Sequence, residues 1–319
     1  MHIPDGFLDP KTIVATSAFS ILGITRALRN VRRRLHARMI PLMGLTAAFV
    51  FVAQILNFPV AGGTSGHLIG AVLVTVLLGP SAGILIMTVV LVVQCLLFAD
   101  GGVLALGANV FNMAVIAPVA GFYTYRAMCY LIPKDYGKLI AIAMASWVST
   151  VLAAVCCTGE LAWSGAVPWP IGFPAMTGIH MVIGVGEALI TTLICAAIYS
   201  ARPELLHPEK SFDNEKHRTL ATADFFVYGF IVTIGLALFV TPFASSWPDG
   251  LERVAAVFGF SSKALPPLVP SPIAQYKLPG VGSLSAATAL AGIIGLVAVF
   301  LLSFFLARFL LPKSSNDVS

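Results

Sequence analysis

The sequence predicts an all-α polytopic membrane protein of about nine transmembrane helices, seven plus two, with its N-terminus outside and its C-terminus inside. Three observations carry that expectation. The 319 residues are 58% hydrophobic and only 10% charged, with a mean hydropathy of +0.93, whereas soluble domains carry about 25% charged residues. The apolar residues form continuous runs rather than the alternating segments of roughly ten residues that a β-barrel needs. The cationic residues sit between those runs, mostly on one side.

Runs of the roughly 17–25 residues that a helix needs to cross a bilayer fall near 12–29, 40–56, 81–99, 103–125, 137–158, 177–199, 224–243 and 284–311. A ninth, near 67–79, is short and ends at the turn signal Gly79-Pro80-Ser81, so it is expected as a span buried in the bundle. With an odd number of spans and Met1 outside, 15 of the 19 Lys and Arg residues fall on inner segments. Only Lys11, Arg253, Lys263 and Lys277 fall on outer ones. Cytoplasmic loops carry the excess of Lys and Arg, which fixes that orientation. The cluster RALRNVRRRLHAR (residues 26–38) then reads as a topology anchor, and Trp163 and Trp169 as interfacial anchors. The mixed-charge segment at residues 200–218 reads as a linker. It separates a module of residues 1–205 from one of residues 206–319.

Several classes are excluded early. Cys95, Cys129, Cys156, Cys157 and Cys195 are odd in number, lie in apolar runs and form no C-x-x-C, which argues against disulfides and zinc. The net charge of +5 belongs to residues flanking spans, so no nucleic-acid partner is expected, and the bilayer is. No phosphate-binding G-x-x-x-x-G-K-[ST] loop occurs; the Gly137-Lys138 pair is followed by Leu139. Active transport would therefore need separate ATP-hydrolysing subunits. No nucleophile and base constellation is visible, so the chain reads as a transporter component and not an enzyme.

The opening stretch MHIPDGFLDP has no cationic or apolar leader features, so Met1 is expected to remain the first residue. A free Met1 amine, the deprotonated amide of His2 and His2 Nδ1 can chelate one ion through fused five- and six-membered rings. Those three nitrogens are coplanar and leave one corner open. His67, at a helix start after a glycine-rich outer loop, is the best candidate for the fourth donor. His180, at the outer end of a span, remains a competitor, a neighbour of the ligands or a hydrogen-bonded core histidine; His36, His207 and His217 fall on the inner side. A planar nitrogen field suits Ni(II) and Cu(II), whereas Zn(II) prefers a tetrahedron.

Polar residues inside the spans complete the candidate list. Asn109 and Asn112 share one helix face and either brace the His67 loop or make ordinary interhelical hydrogen bonds. His180, Gly184 and Glu187 share another face, and Glu187 reads as part of an internal network ahead of a role in metal passage. Gly44 and Ala48 form a small-xxx-small pair that would let another helix, or a partner subunit, approach closely.

Four stretches together resemble the CbiM/NikM family of substrate-specific components of energy-coupling-factor cobalt and nickel importers. They are MHIPDGFL (1–8), GGTSGHLIGAVL (62–73), FADGGVLALGANVFNMAVI (98–116) and HMVIGVGEALIT (180–191). The tail, with WPDGLERVA (247–255) and SPIAQYKLPG (271–280), is similar to the NikN-type PDGLE module, so the whole resembles a fused NikMN arrangement. The resemblance implies a metal site made by Met1, His2 and His67, with Ni(II) as the transported substrate ahead of Co(II). It also implies two ATPase subunits, a transmembrane coupling subunit and a bacterial or archaeal cell membrane. A cobalt importer subunit of the same type and a metal transporter independent of ATPases are the alternatives.

Overall fold

The computed structural model describes residues 1–37, 39–201 and 226–311. The expected linker and the boundary between residues 205 and 206 lie outside the described residues, as do Arg38, Arg202, His207, Lys210, Lys216, His217, Arg218 and Lys313.

Ten helices and one short hairpin make up the described chain. Helix α1 (Pro10–Arg34) starts where Asp9 accepts the Thr12 amide at 2.9 Å and Pro10 occupies the first turn. It ends with Arg32, Arg33 and Arg34, cations suited to a helix C-terminus. Its buried face is small and polar (Thr12, Thr16, Ser20, Ala27), while Val14, Phe19, Ile21 and Leu22 point outward. That inverted pattern is expected when the solvent is lipid, because close helix packing then replaces the hydrophobic effect as the glue. Helix α2 (Met39–Ile55) follows, then strands β1 (Phe58–Val60) and β2 (Thr64–Gly66) in an antiparallel hairpin with Phe58 opposite Gly66.

Helices α3 (Ala71–Leu78), α4 (Pro80–Phe98), α5 (Leu106–Leu131), α6 (Asp135–Trp163) and α7 (Trp169–Ala201) complete the first part. In α5 a π-helical stretch at Val110–Ile116 interrupts the regular ladder. Helix α8 (Phe226–Phe243), the short α9 (Gly250–Val257) and α10 (Leu284–Leu310) form the second part.

Among the described residues, six helices, α4 to α8 and α10, are long and apolar enough to cross a membrane. Helices α1 to α3 fall short for different reasons. Helix α1 carries the arginines and hydroxyls, α2 has 17 residues, and α3 has 8, which is about 12 Å of rise. The segment from His67 through α3 still runs between the two ends of the bundle. At one end Met1 meets His67, and at the other Asn30 donates to Ser81 at 3.3 Å.

The segments expected on the outer side converge at one end. Ser245 N–H bonds Asn57 O, Leu265 N–H bonds Asp5 O, Ile273 N–H bonds Leu97 O, and Lys263 Nζ reaches Gly165 O. The Gly44 face is not free for a partner subunit. A Cβ there would meet the Phe300 ring at 2.9 Å, and Ala48 is fully buried, so this small-residue pair admits α10 of the same chain.

Candidate metal centre

Met1, Ile3, Asp5, Phe7 and Leu8 in the N-terminal tail are buried. Met1 is 4% exposed and Ile3 is 0% exposed, and burying an aliphatic side chain of that size contributes about 1.5–3 kcal/mol. Ile3 N–H donates to Asn109 Oδ1 at 2.7 Å, while Ile3 O accepts from Asn109 Nδ2 at 3.1 Å and from Gly102 N–H at 2.9 Å. The Asp5 carboxylate accepts the amides of Val103, Leu104 and Ala105 at 2.8–3.2 Å, capping the approach to α5. The tail is therefore clamped by the loop between α4 and α5 before it turns into α1.

This clamp brings the three expected ligands together. The Met1 amine lies 3.0 Å from His67 Nε2, and the rings of His2 and His67 stack at 5.2 Å with 26° between their planes. His67 Nδ1 stands 3.2 Å from Leu68 O, to which its N–H donates, and this tautomer leaves the Nε2 lone pair toward the amine. Two cis donors each about 2.1 Å from a shared ion are about 3.0 Å apart, so the amine and His67 already stand at that separation. His2 Nδ1 faces Asp100 Oδ1 at 3.2 Å, and its Nε2 faces Gln94 Oε1 at 3.2 Å.

Asp249 completes the cluster. Its Oδ2 accepts from the Met1 amine at 2.6 Å. Burial alone would lower the amine pKa, but the Asp249 charge and hydrogen bond outweigh it and the net shift is upward from 8.0. Conversely, burial pushes Asp249 up, and the amine with its hydrogen bond pulls it further down, below the usual carboxylate range. Burial holds His2 below its ordinary value, and burial plus the positive amine hold His67 well below. Both imidazoles are thus presented as neutral donors near neutral pH.

Asp249 is positioned by local and long-range bonds. It caps α9 through a reciprocal box, accepting Glu252 N–H at 2.8 Å while its own N–H donates to Glu252 Oε2 at 3.0 Å. The preceding residues lie along β2, where Ser65 N–H donates to Pro248 O at 2.8 Å.

The remaining candidates take other places. Glu187, not the asparagines, braces the His67 loop, its two oxygens accepting Ile69 N–H at 2.6 Å and Gly70 N–H at 2.9 Å. Asn109 holds the tail, as described. Asn112 donates to Glu160 Oε2 at 2.7 Å. Glu160 is itself buried in α6, a second carboxylate inside a helix of the bundle beside Glu187. His180 bonds Met176 O of its own helix at 2.8 Å and lines a small cavity with Met1, His67, Thr150, Asp249 and Gly250.

Sequence reasoning missed Asp249, Asp100, Gln94 and Glu160. For Asp249 a signal existed, since D-x-x-E marks a helix start, but nothing in that pattern points to residue 1. The others had no local signal, because each acts on a residue distant in sequence.

Comparison with known proteins agrees with this architecture. Residues 2–205 match the CbiM family, described as the cobalt uptake substrate-specific transmembrane region, and residues 223–311 match the PDGLE domain. A protein of Archaeoglobus fulgidus named as a fused nickel transport protein, NikMN, is 35% identical over 97% of this chain and 99% of its own length. The cobalt transport protein CbiM of Acetoanaerobium sticklandii is 32% identical over 61% of this chain and 82% of its own. The crystal structure of a truncated transition metal transporter superposes with a TM-score of 0.58 at 36% identity, covering 63% of this chain and 99% of that one. Fold and relatives define a multi-pass metal-transport protein of a prokaryotic cell membrane. Within that class the chain belongs to the CbiM family, in the fused NikMN arrangement with a PDGLE domain.

Proposed function

We propose that this chain is the substrate-binding membrane subunit of an ATP-driven nickel importer of the energy-coupling-factor type, capturing Ni(II) at the outer face in a square-planar, all-nitrogen site. The observation that carries the reading is the buried 3.0 Å contact between the Met1 amine and His67 Nε2. In the proposed site the amine, the His2 amide nitrogen and His2 Nδ1 occupy three corners, and His67 Nε2 closes the fourth, cis to the amine. Ni(II) is the transported substrate and gains more than Co(II) from a planar nitrogen field. Binding releases the protons of the amine and the amide, so protein and metal compete for them. The site opens outward with Met1 outside, the C-terminus inside and nine crossings divided as modules 1–205 and 206–319. Two ATPase subunits and a transmembrane coupling subunit supply the energy, and inward release follows movement of the whole bundle. The chain itself catalyses no reaction.

Glu160 and Glu187 offer little support for a transporter that works without ATPases. Each accepts hydrogen bonds from framework groups, Asn112 for Glu160 and two backbone amides for Glu187, which suits a bracing role. The test adds one residue ahead of Met1 and compares nickel content and uptake with a C-terminally tagged control. Loss of both supports the terminal chelate, and unchanged binding rejects it. His180→Ala serves as the companion variant and is expected to keep one nickel per chain.

A further inference from the structure

The imidazole of His2 is hydrogen-bonded at Nε2 to Gln94 Oε1, and its Nδ1 stands beside Asp100 Oδ1, each at 3.2 Å. An ion taking Nδ1 therefore has the Asp100 carboxylate as its next neighbour. The other oxygen of that carboxylate is already engaged, since Asp100 Oδ2 accepts a 2.6 Å hydrogen bond from the Tyr276 hydroxyl. Tyr276 comes from the loop before α10, in the second module. Its ring stacks on Phe98 at 4.6 Å with 15° between planes, and Ile273 N–H ties the same loop to Leu97 O at 3.0 Å. Gln275 and Tyr276 both adopt left-handed backbone, with φ of 54° and 56°. Residues with a side chain enter that region at a cost and stay there only when their surroundings over-determine it. The loop is thus bent to deliver one hydroxyl to one carboxylate.

We propose that Tyr276 is a specificity-determining positioning residue. By holding one oxygen of Asp100, it keeps that carboxylate beside His2 and out of the coordination sphere, so that the ion meets nitrogen donors alone. The inference rests on the terminal nitrogen site proposed above. Carboxylate oxygen is a hard donor that suits octahedral ions, whereas planar nitrogen favours Ni(II) and Cu(II). A released Asp100 would add an oxygen ligand, raise the coordination number and remove the advantage that planarity gives Ni(II) over Co(II).

Tyr276→Phe tests this in the full-length, detergent-solubilised protein, because it retains the ring stack and deletes only the hydroxyl. The probes are Ni(II) alone, read by visible spectrum, and Ni(II) against Co(II) in competition. The expected result is a shift from the planar to the higher-coordinate nickel spectrum and a fall of about tenfold in nickel preference. Asp100→Ala in the Tyr276→Phe background should restore the planar spectrum, a rescue that a merely structural role would not produce. A Tyr276→Phe protein with unchanged spectrum and preference, or a double variant that stays higher-coordinate, overturns the inference. Should Tyr276→Phe fold poorly, Asp100→Ala alone poses the same question without altering the loop. If Asp100 is held off the ion, the unmodified protein and Asp100→Ala share the planar spectrum; a higher-coordinate spectrum in the unmodified protein that turns planar in Asp100→Ala shows Asp100 to be a ligand and overturns the inference. Failure of the parent reading shows elsewhere, as nickel binding that survives the added N-terminal residue.

Discussion

Gly102→Ala perturbs the proposed metal centre without touching a ligand. Gly102 lies against the N-terminal tail, and a Cβ there would stand 2.0 Å from Asp5 Oδ1 and 2.3 Å from Asp5 N. A carboxylate can swing aside, but the Asp5 nitrogen is backbone. Opening that 2.3 Å approach to an ordinary 3.4 Å contact needs 1.1 Å of movement, the difference between the two values. The tail carries Met1 and His2 together, whereas His67 sits on a separate loop held by Glu187. The displacement therefore falls between the two halves of the proposed chelate. Metal sites tolerate only about 0.2 Å of error in ligand distance. We expect nickel affinity to fall roughly 10–100-fold, or about 1.4–2.8 kcal/mol, with helical content unchanged by circular dichroism. Competition against a chromophoric chelator measures it. An affinity within twofold of the unmodified protein would refute the argument that tail docking sets the ligand geometry.

Two further expectations follow from the same geometry. Glu187→Gln leaves one carbonyl to serve two amides and turns an NH2 toward the other, at a cost of about 1.5–3 kcal/mol. The protein should melt at a lower temperature and bind nickel roughly tenfold more weakly at unchanged stoichiometry, and wild-type values for both would reject the bracing role. For pH, the raised amine pKa means that its ion pair with Asp249 stabilises the metal-free fold below pH 8.0 and is lost as pH rises through the folded value. Asp249, being lowered, contributes stability above 3.8 that is lost as pH falls. Because burial keeps both imidazoles neutral, nickel must displace only the amine and amide protons. The logarithm of apparent affinity should then climb by about 2 per pH unit between roughly pH 7 and 8, and a slope near 1 would show that the amide keeps its proton.

Much of this protein is legible along the chain. Composition and run length define the class, and the Lys and Arg bias groups the segments that later meet at one end of the bundle. The chemistry of an N-terminal Met-His pair, with a histidine after a glycine-rich loop, brings Met1, His2 and His67 into one hypothesis, because chelation by adjacent residues is a local property. Local signals were less informative where a segment's status depends on its neighbours. The run near 67–79 is an extended stretch plus an eight-residue helix, acceptable only because surrounding helices shield it. The small face of α2 looked open and is filled by Phe300.

Tertiary structure alone decided what surrounds the proposed ligands. Asp249 reaches Met1 across 248 residues, Asn109 holds Ile3 across 106, and Glu187 secures the His67 loop across 118. No periodicity or motif encodes such pairs, since they arise from how separately specified helices pack. Residue types set which atoms can bind a metal; the packing of the second module against the first sets which charges stand beside them.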